Sequence, residues 1–387
     1  MNAEPKNLKT FPSNRQLLSA RFSPCGNVLA SGAMDRVVMR WSVVEKKKAD
    51  EIAPPDDIAL PGEPPKKPAP KIAPKNAKNA KPESPVELVP LPPIAGFNGW
   101  VQSIAFHPTD KLLFVSDSWG KLACTPYEGD APKPKWENAT AHDSAIRRIA
   151  VSADGKLIAT CGSDQFVRVW NSADGKPVAK HEHTSDIFTL TFTPDGTQIV
   201  FGDLFAKISV LDFKADKVVR QFEAAPFYTL SRMQDVAGLR TLMFLDDGRT
   251  LLAAGCNPEG GGFVQGVPVL MEFDFATGKP SREVRLGTTK EGFVHDVVRH
   301  PDGFLIAVTS GQPGSGKLVL LRPEEKEPSY TLTAGLANCH SVALHPDKRR
   351  FVVTSTNGGS NGNGRRLTAD GDYPGNTSPL HLFEIPA

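Results

Sequence analysis

Three places in this chain carry residue types and spacings that could do chemistry. Gly311 to Leu318 read GQPGSGKL, with the glycine and lysine spacing of a phosphate-cradling loop. Such a loop needs a Ser or Thr after the lysine to hold a metal, and a helix N-terminus to face the phosphates. Here Leu318 stands where the hydroxyl belongs, and the following LVLLRP reads as a strand. The segment is therefore expected to be a strand–turn–strand hairpin. His181-Glu182-His183 puts both imidazoles on one side of an extended strand, a start toward a metal site. No Cys, Asp or His follows at metal-ligand spacing, so no metal is expected there. The five cysteines, Cys25, Cys124, Cys161, Cys256 and Cys339, are widely spaced and include no Cys-x-x-Cys. They read as small buried apolar residues, not as a disulfide framework or a zinc set. No nucleophile elbow occurs, and most acids fall in turn pairs such as Asp154-Gly155 and Asp195-Gly196. Neither a catalytic residue nor a cofactor is expected.

Composition narrows the classes further. The 387 residues include 45 basic and 43 acidic side chains, a net charge of +2, so the whole-molecule charge selects no partner. The opening MNAEPKNLKTFPSNRQ lacks the apolar core of a signal peptide. No apolar run approaches the ~18 residues of a membrane span. With reduced thiols, the expectation is a cytoplasmic protein that meets no membrane.

What must position any site is a repeat. An apolar pair, a turn built on Pro-Asp-Gly or a relative, and a short apolar strand ending in small residues recur through the chain. The recurrences begin at Leu17 (LLSARFSPCGNVLASG), Val101, Ile146 (IRRIAVSADGKLIATCG), Ile187, Leu239, Val294 and Cys339. Equivalent positions are Phe22, Phe106, Val151, Phe192, Phe244, Arg299 and Leu344, at steps of 84, 45, 41, 52, 55 and 45 residues. A period of ~40–45 residues matches four short strands. Asp-Gly supplies the left-handed backbone of a tight hairpin, and alternating apolar positions give half-buried strands. Each unit needs neighbours to cover its faces, which favours a closed radial array.

Unit three, AHDSAIRRIAVSADGKLIATCGSDQFVRVWNSADGK, carries a resemblance. It is similar to a WD-repeat blade, and the chain resembles a divergent, bacterial-type member of the WD-repeat β-propeller family. Asn171 replaces the Asp of the Trp-Asp pair. The resemblance implies hydrogen bonds among His142, Thr160 (less well Ser163), Asp164 and Trp170. Unit one keeps Asp35 and Trp41 but has Ser13 in the His place; unit four keeps His183, with Leu211 in the Trp place. The expected fold is all-β: one seven-bladed propeller over residues 1–387, built of four-stranded antiparallel blades. Its ring is closed by Asn7 to Phe11 pairing with Leu380 to Ile385.

Residues 45–85 interrupt the first unit between its third and fourth strands. Ten of these 41 residues are proline and nine are lysine, so a disordered loop that builds no core is expected. Its KKPAPKIAPKNAKNAK stretch lacks aromatic residues for base stacking, so nucleic acid is not the expected partner. Loops at 256–266, 310–316 and roughly 356–379 would share one face of neighbouring blades and could form one patch.

Aligned by unit, one position near the start of each innermost strand reads Leu18, Gln102, Arg147, Phe188, Arg240, His295 and His340. Two residues earlier the units read Gln16, Trp100, Ala145, Asp186, Gly238, Phe293 and Asn338. Both positions should surround one mouth of the central channel. Arg147, Arg240, His295 and His340 would make it positive, and Trp100, Phe188 and Phe293 would add aromatic anchors of the kind that dominate interfaces. The expected function is a scaffold holding a protein or peptide partner, an acidic one, as a monomer. The alternative is a propeller-fold hydrolase or a small-molecule or metal binder at the mouth, for which the aligned positions offer only Asp186, His295 and His340.

Overall fold

The Pro-Asp-Gly turns close hairpins, and the hairpins pair into small sheets. The computed structural model describes residues 4–46, 86–230, 235–245, 248–259, 266–312, 314–356 and 377–386. A first strand, β1 (Lys6–Phe11), precedes blade 1, which comprises β2 (Leu17–Phe22), β3 (Val28–Ala33), β4 (Val38–Glu45) and β5 (Val86–Ile94). Blade 2 has β6 (Ser103–Phe106), β7 (Leu112–Ser116), β8 (Leu122–Pro126) and β9 (Trp136–Asn138). Blade 3 has β10 (Ile146–Val151), β11 (Leu157–Gly162), β12 (Phe166–Asn171) and β13 (Pro177–Glu182). Blade 4 has β14 (Ile187–Phe192), β15 (Ile199–Asp203), β16 (Lys207–Asp212) and β17 (Lys217–Glu223). Blade 5 has β18 (Leu239–Phe244), β19 (Thr250–Pro258), β20 (Gly266–Asp274) and β21 (Lys279–Arg285). Blade 6 has β22 (Phe293–Arg299), β23 (Leu305–Ser310), β24 (Gly316–Leu321) and β25 (Tyr330–Leu332). Blade 7 is β26 (Ala337–Leu344), β27 (Arg350–Thr356) and β28 (Leu380–Glu384), with β1 added as its outer strand.

Seven four-stranded antiparallel sheets thus form a seven-bladed propeller, and both chain ends meet in one blade. The clasp pairs antiparallel from Lys6 against Glu384 to Phe11 against Leu380, with one slip between Asn7 and Lys9. The core lies between blades. One apolar cluster joins Trp41 and Leu29 of blade 1 to Phe11, Val352 and Leu382 of blade 7, and another joins Ala30 and Val38 of blade 1 to Val101 and Leu113 of blade 2. This explains the strand patterns. Second strands such as β3 and β23 are buried along their whole length, because neighbouring blades cover both faces. The outer strand β17 alternates exposed and half-buried residues.

The turn histidines do more than turn. In His107, His300 and His345 the Nδ1 accepts a backbone N–H from Asp110, Asp302 and Asp347 respectively. The Nε2 therefore carries the proton, and it donates to a carbonyl in the next blade's turn: Gly155, Lys348 and Gly26. Gly155 and Gly26 adopt positive φ, and a Cβ at either would strike the histidine ring at 2.5 Å. Glycine is required there twice over, by backbone and by close approach.

As the hairpin reading expects, Gly316 to Leu321 form β24, paired antiparallel with β23, and Lys317 lies 3.4 Å from Glu291. Cys124, Cys161, Cys256 and Cys339 are buried, as expected. Cys25 is a correction: it is exposed, in the β2–β3 turn, where its thiol meets Ser23 and the Tyr127 hydroxyl. Residues 47–85 lie outside the described residues, as do 260–265, 313 and 357–376, the greater part of the loops expected to share a face.

Candidate functional site

The channel mouth is built by a repeated defect in the innermost strands. The pairing of β2 with β3 slips between Leu17 and Ser19, and that of β10 with β11 between Ile146 and Arg148. The same slip occurs between Ile187 and Thr189, Leu239 and Thr241, and Val294 and Asp296, and a longer one between Ala337 and Ser341. The skipped residues are Leu18, Arg147, Phe188, Arg240 and His295, with His340 inside the last gap. A β-bulge leaves one residue out of the ladder and re-aims its side chain. In this ring it aims residues from consecutive blades at one another.

These side chains form an unbroken string. The Arg147 guanidinium lies 4.8 Å from the Phe188 ring centre, and Arg240 lies 5.4 Å from Phe188 and 4.7 Å from Phe293. Phe293 meets His295 edge-on at 6.1 Å, and His295 meets His340 at 5.3 Å. The string crosses blades 3 to 7. Arg147 is oriented by its Nε, which donates to Ser163 Oγ at 3.0 Å. Ser163 therefore supports the mouth and not the blade network. Trp100 sits on the loop into blade 2, its backbone held by Ser118. Phe293 is only 8% exposed and packs with Val236 and Cys256, so it offers the mouth a ring face and little more.

The expected four-cation mouth needs correction. Burial, with His340 and Arg240 nearby, pushes the His295 imidazole well below its ordinary range, and burial takes His340 down to about 4. Both rings are neutral at neutral pH. Burial also lowers Arg240 to about 10, which leaves it charged. The mouth's positive charge therefore rests on Arg147 and Arg240. A buried neutral histidine destabilises the fold once it must be protonated. The unfolded chain takes up the proton near pH 6.5, the folded one only near 4, so stability falls as pH drops through that window. Thermal unfolding followed from pH 7 to pH 5 should show this loss, on the order of 1–2 kcal/mol from His340 alone. His340→Gln should flatten the slope; an unchanged slope would contradict neutral burial.

The blade network assembles in blade 3. The His142 Nδ1–H donates to Asp164 Oδ1 at 2.8 Å, and the Thr160 hydroxyl bridges His142 Nε2 at 2.8 Å and the Trp170 Nε1–H at 2.9 Å. Blade 4 keeps a partial set, His183 Nε2 with Asp203 at 3.0 Å and Ser185 with the same carboxylate. Blade 1 departs from the expectation: Asp35 pairs with Arg15 at 2.8 Å, Trp41 packs in the apolar cluster between blades 7 and 1, and Ser13 caps the Arg15 backbone. His181 turns to Asp216, 2.7 Å away, so the two imidazoles of His181-Glu182-His183 serve different carboxylates. Among the described residues no three of His, Cys, Asp and Glu are placed to hold a metal.

Sequence reasoning missed a second ring, one residue beyond the bulges: Ser19, Ser103, Arg148, Thr189, Thr241, Asp296 and Ser341. Ser103, Thr189, Asp296 and Ser341 each accept a backbone N–H from the following blade. Asp296 also takes both arms of Arg21 from blade 1, at 2.7 and 3.2 Å across the channel. The run of hydroxyls at one aligned position was the available signal.

The family described as WD domain, G-beta repeat matches residues 5–42 and 136–171. Each match takes the outer strand of one blade and the first three of the next. That offset is the one the clasp creates. The chain belongs to the WD-repeat β-propeller family. Among similar proteins, the WD repeat-containing protein 55 homolog of Dictyostelium discoideum is 31% identical over 127 residues, 33% of this chain and 31% of that protein. The small ribosomal subunit protein RACK1y of Oryza sativa subsp. japonica is 27% identical over 168 residues, 41% of this WD-repeat chain and 46% of the relative. The cilia- and flagella-associated protein 57 A of Tetrahymena thermophila is 26% identical over 107 residues, 26% and 8% of the two chains. The matches thus span less than half the length of each relative.

Proposed function

We propose that this WD-repeat propeller is a protein-interaction scaffold that takes an acidic segment of a partner across its channel mouth. The observation that carries the reading is the string from Arg147 to His340, in which both guanidinium groups lie on aromatic faces. Arg147 spends one bond on a hydroxyl, and the Arg240 Nε is buried with no hydrogen-bond partner. Guanidinium groups held on rings keep their donors oriented for a carboxylate. Phe188 supplies half-exposed aromatic surface beside them, and Trp100, half-exposed on the loop into blade 2, is proposed as a further anchor. No grouped metal-ligand set occurs among the described residues, so no observation there favours the metal-dependent hydrolase reading. The proposed setting is the cytoplasm, where free thiols persist.

The test uses a labelled peptide of alternating Glu and Ala and the full chain. Fluorescence anisotropy should show saturable binding that weakens as salt rises. The double variant Arg147→Glu/Arg240→Glu should lose at least tenfold in affinity while unfolding at a similar temperature. Retained binding by the folded double variant would reject this surface.

A further inference from the structure

Below the mouth, the channel beside blade 2 opens into a pocket of about 250 Å³ lined by Ser19, Arg21, Gln102, Ser103, Ala105 and Arg148, among others. Blade 2 lines this wall with uncharged residues, Gln102 to Phe106, while its neighbours on either side contribute Arg21 and Arg148. Arg147 and Arg148 are adjacent in the chain, but the bulge separates their roles. Arg147 lies on Phe188 at the mouth, and Arg148 lines the channel beside Arg21.

The charges in this pocket do not balance. Arg21 is held by Asp296 through both arms. The Arg148 guanidinium has no hydrogen-bond or ion-pair partner among the described residues. Burial, with the charge of Arg21 nearby, pushes it below the usual arginine range, and the Asp296 carboxylate offsets only part of this. Two permanent cations therefore share one carboxylate. A guanidinium presents five donors and is not deprotonated in proteins. Arg148 is half-buried and lines the pocket, so its unclaimed donors are open to a ligand there. A second observation points the same way. Ser19 is 8% exposed and its Oγ has no partner, whereas Ser103, Thr189 and Ser341 at the equivalent position all hold a backbone N–H; Thr241 shares the unpartnered hydroxyl, but of the two only Ser19 lines this pocket.

We propose that this pocket is an oxyanion site, in which Arg148 and the Ser19 hydroxyl hold one phosphate or carboxylate group against the Arg21 wall. Its size suits a phosphate or a short carboxylic acid and is too small for a polypeptide segment. The planar fork of Arg148 matches two oxygens of such a group, and Ser19 donates to a third contact. The site goes beyond the partner surface at the mouth and does not depend on it.

Isothermal titration of the full chain, first with inorganic phosphate and separately with acetate, at ionic strength fixed with sodium chloride, tests the proposal. Saturable one-to-one binding of at least one anion is expected, and which of them binds separates the phosphate-type from the carboxylate-type ligand. Arg148→Gln should weaken that binding at least tenfold, and Arg147→Gln at the mouth should leave it within twofold. Arg148→Lys keeps the charge but loses the fork, and it should bind several-fold more weakly; it serves in place of the Gln variant if that one does not fold. The proposal is overturned if neither anion binds saturably, if the Arg148 variants bind as the parent does, or if Arg147→Gln abolishes binding equally.

Discussion

Deleting residues 1–12 is expected to lower the thermal unfolding midpoint by about 6 °C or to leave the chain insoluble. The physical reason is that a propeller has no ends only while its last sheet is complete. The outer strand β1 runs the full length of β28, and without it β28 becomes an open edge, a template for pairing with other chains. The deletion also removes Phe11, 5% exposed in the slot between blades 7 and 1, where it packs with Leu17, Trp41, Leu380 and Leu382. The pairing of Lys9 with Glu87 at 2.6 Å, which ties the clasp to the outer strand of blade 1, goes as well. Burial of one Phe contributes about 2–3 kcal/mol and each ladder bond about 0.5–1.5, so a loss on the order of 5 kcal/mol follows. Calorimetry and size-exclusion chromatography on the truncated chain decide it. An unchanged midpoint with a monodisperse profile would mean that the ring is held shut elsewhere. Phe11→Ala in the full chain should give part of the loss, about 3 kcal/mol, without the aggregation.

The parts of this architecture that could be read from the residues are those set by local chemistry. Turn pairs such as Asp154-Gly155 and Asp195-Gly196 marked the hairpins, because only a few residues tolerate that backbone. The position shared by Arg147, Phe188, Arg240 and His295 was visible as an alignment, and the structure gives its cause, a bulge in each inner strand. The charge state of the mouth was not visible. It depends on how deeply His295 and His340 sit, which no neighbouring residue in the chain reports. The pairing of Arg21 with Asp296 joins residues 275 positions apart and exists only because the ring closes. Blade 1 shows a different failure. Asp35 and Trp41 matched the family pattern, but Ser13 is short and bonds its own turn, so Arg15 takes the carboxylate instead. The staples made by His107, His300 and His345 were legible as turn residues and not as ties to the next blade, since the accepting carbonyl lies 48 residues away or, for His345, 319.

Thr160→Val should destabilise the chain by about 3 kcal/mol, a large effect for the loss of one hydroxyl in a protein of this size. Valine has nearly the same shape, so packing is kept and only the bridge is lost. The His142 side chain is fully buried and Trp170 is 3% exposed. After the change, His142 Nε2 and the Trp170 Nε1–H would each be buried without a partner, and such groups cost about 1–3 kcal/mol apiece. Thr160→Ser restores the hydroxyl and should recover most of the loss, which a packing defect would not allow. Blade 4 supplies the control. Ser185→Ala should cost less than about 1 kcal/mol, because Asp203 keeps His183 and the N–H groups of Phe205 and Lys207. The carboxylate end of the blade 3 network adds a pH signature. Hydrogen bonds from His142, the Asp143 N–H and Arg168 outweigh burial and bring Asp164 down to about 2. A depressed carboxyl stabilises the fold above its unfolded value near 3.8, and that stabilisation disappears as pH falls through 2. The difference in unfolding free energy between the parent and Asp164→Asn should therefore be full at neutral pH, on the order of 2 kcal/mol, and shrink only below pH 4. A difference that faded already between pH 7 and 5 would place its origin in a histidine, and the assignment of the network's charge to Asp164 would fail.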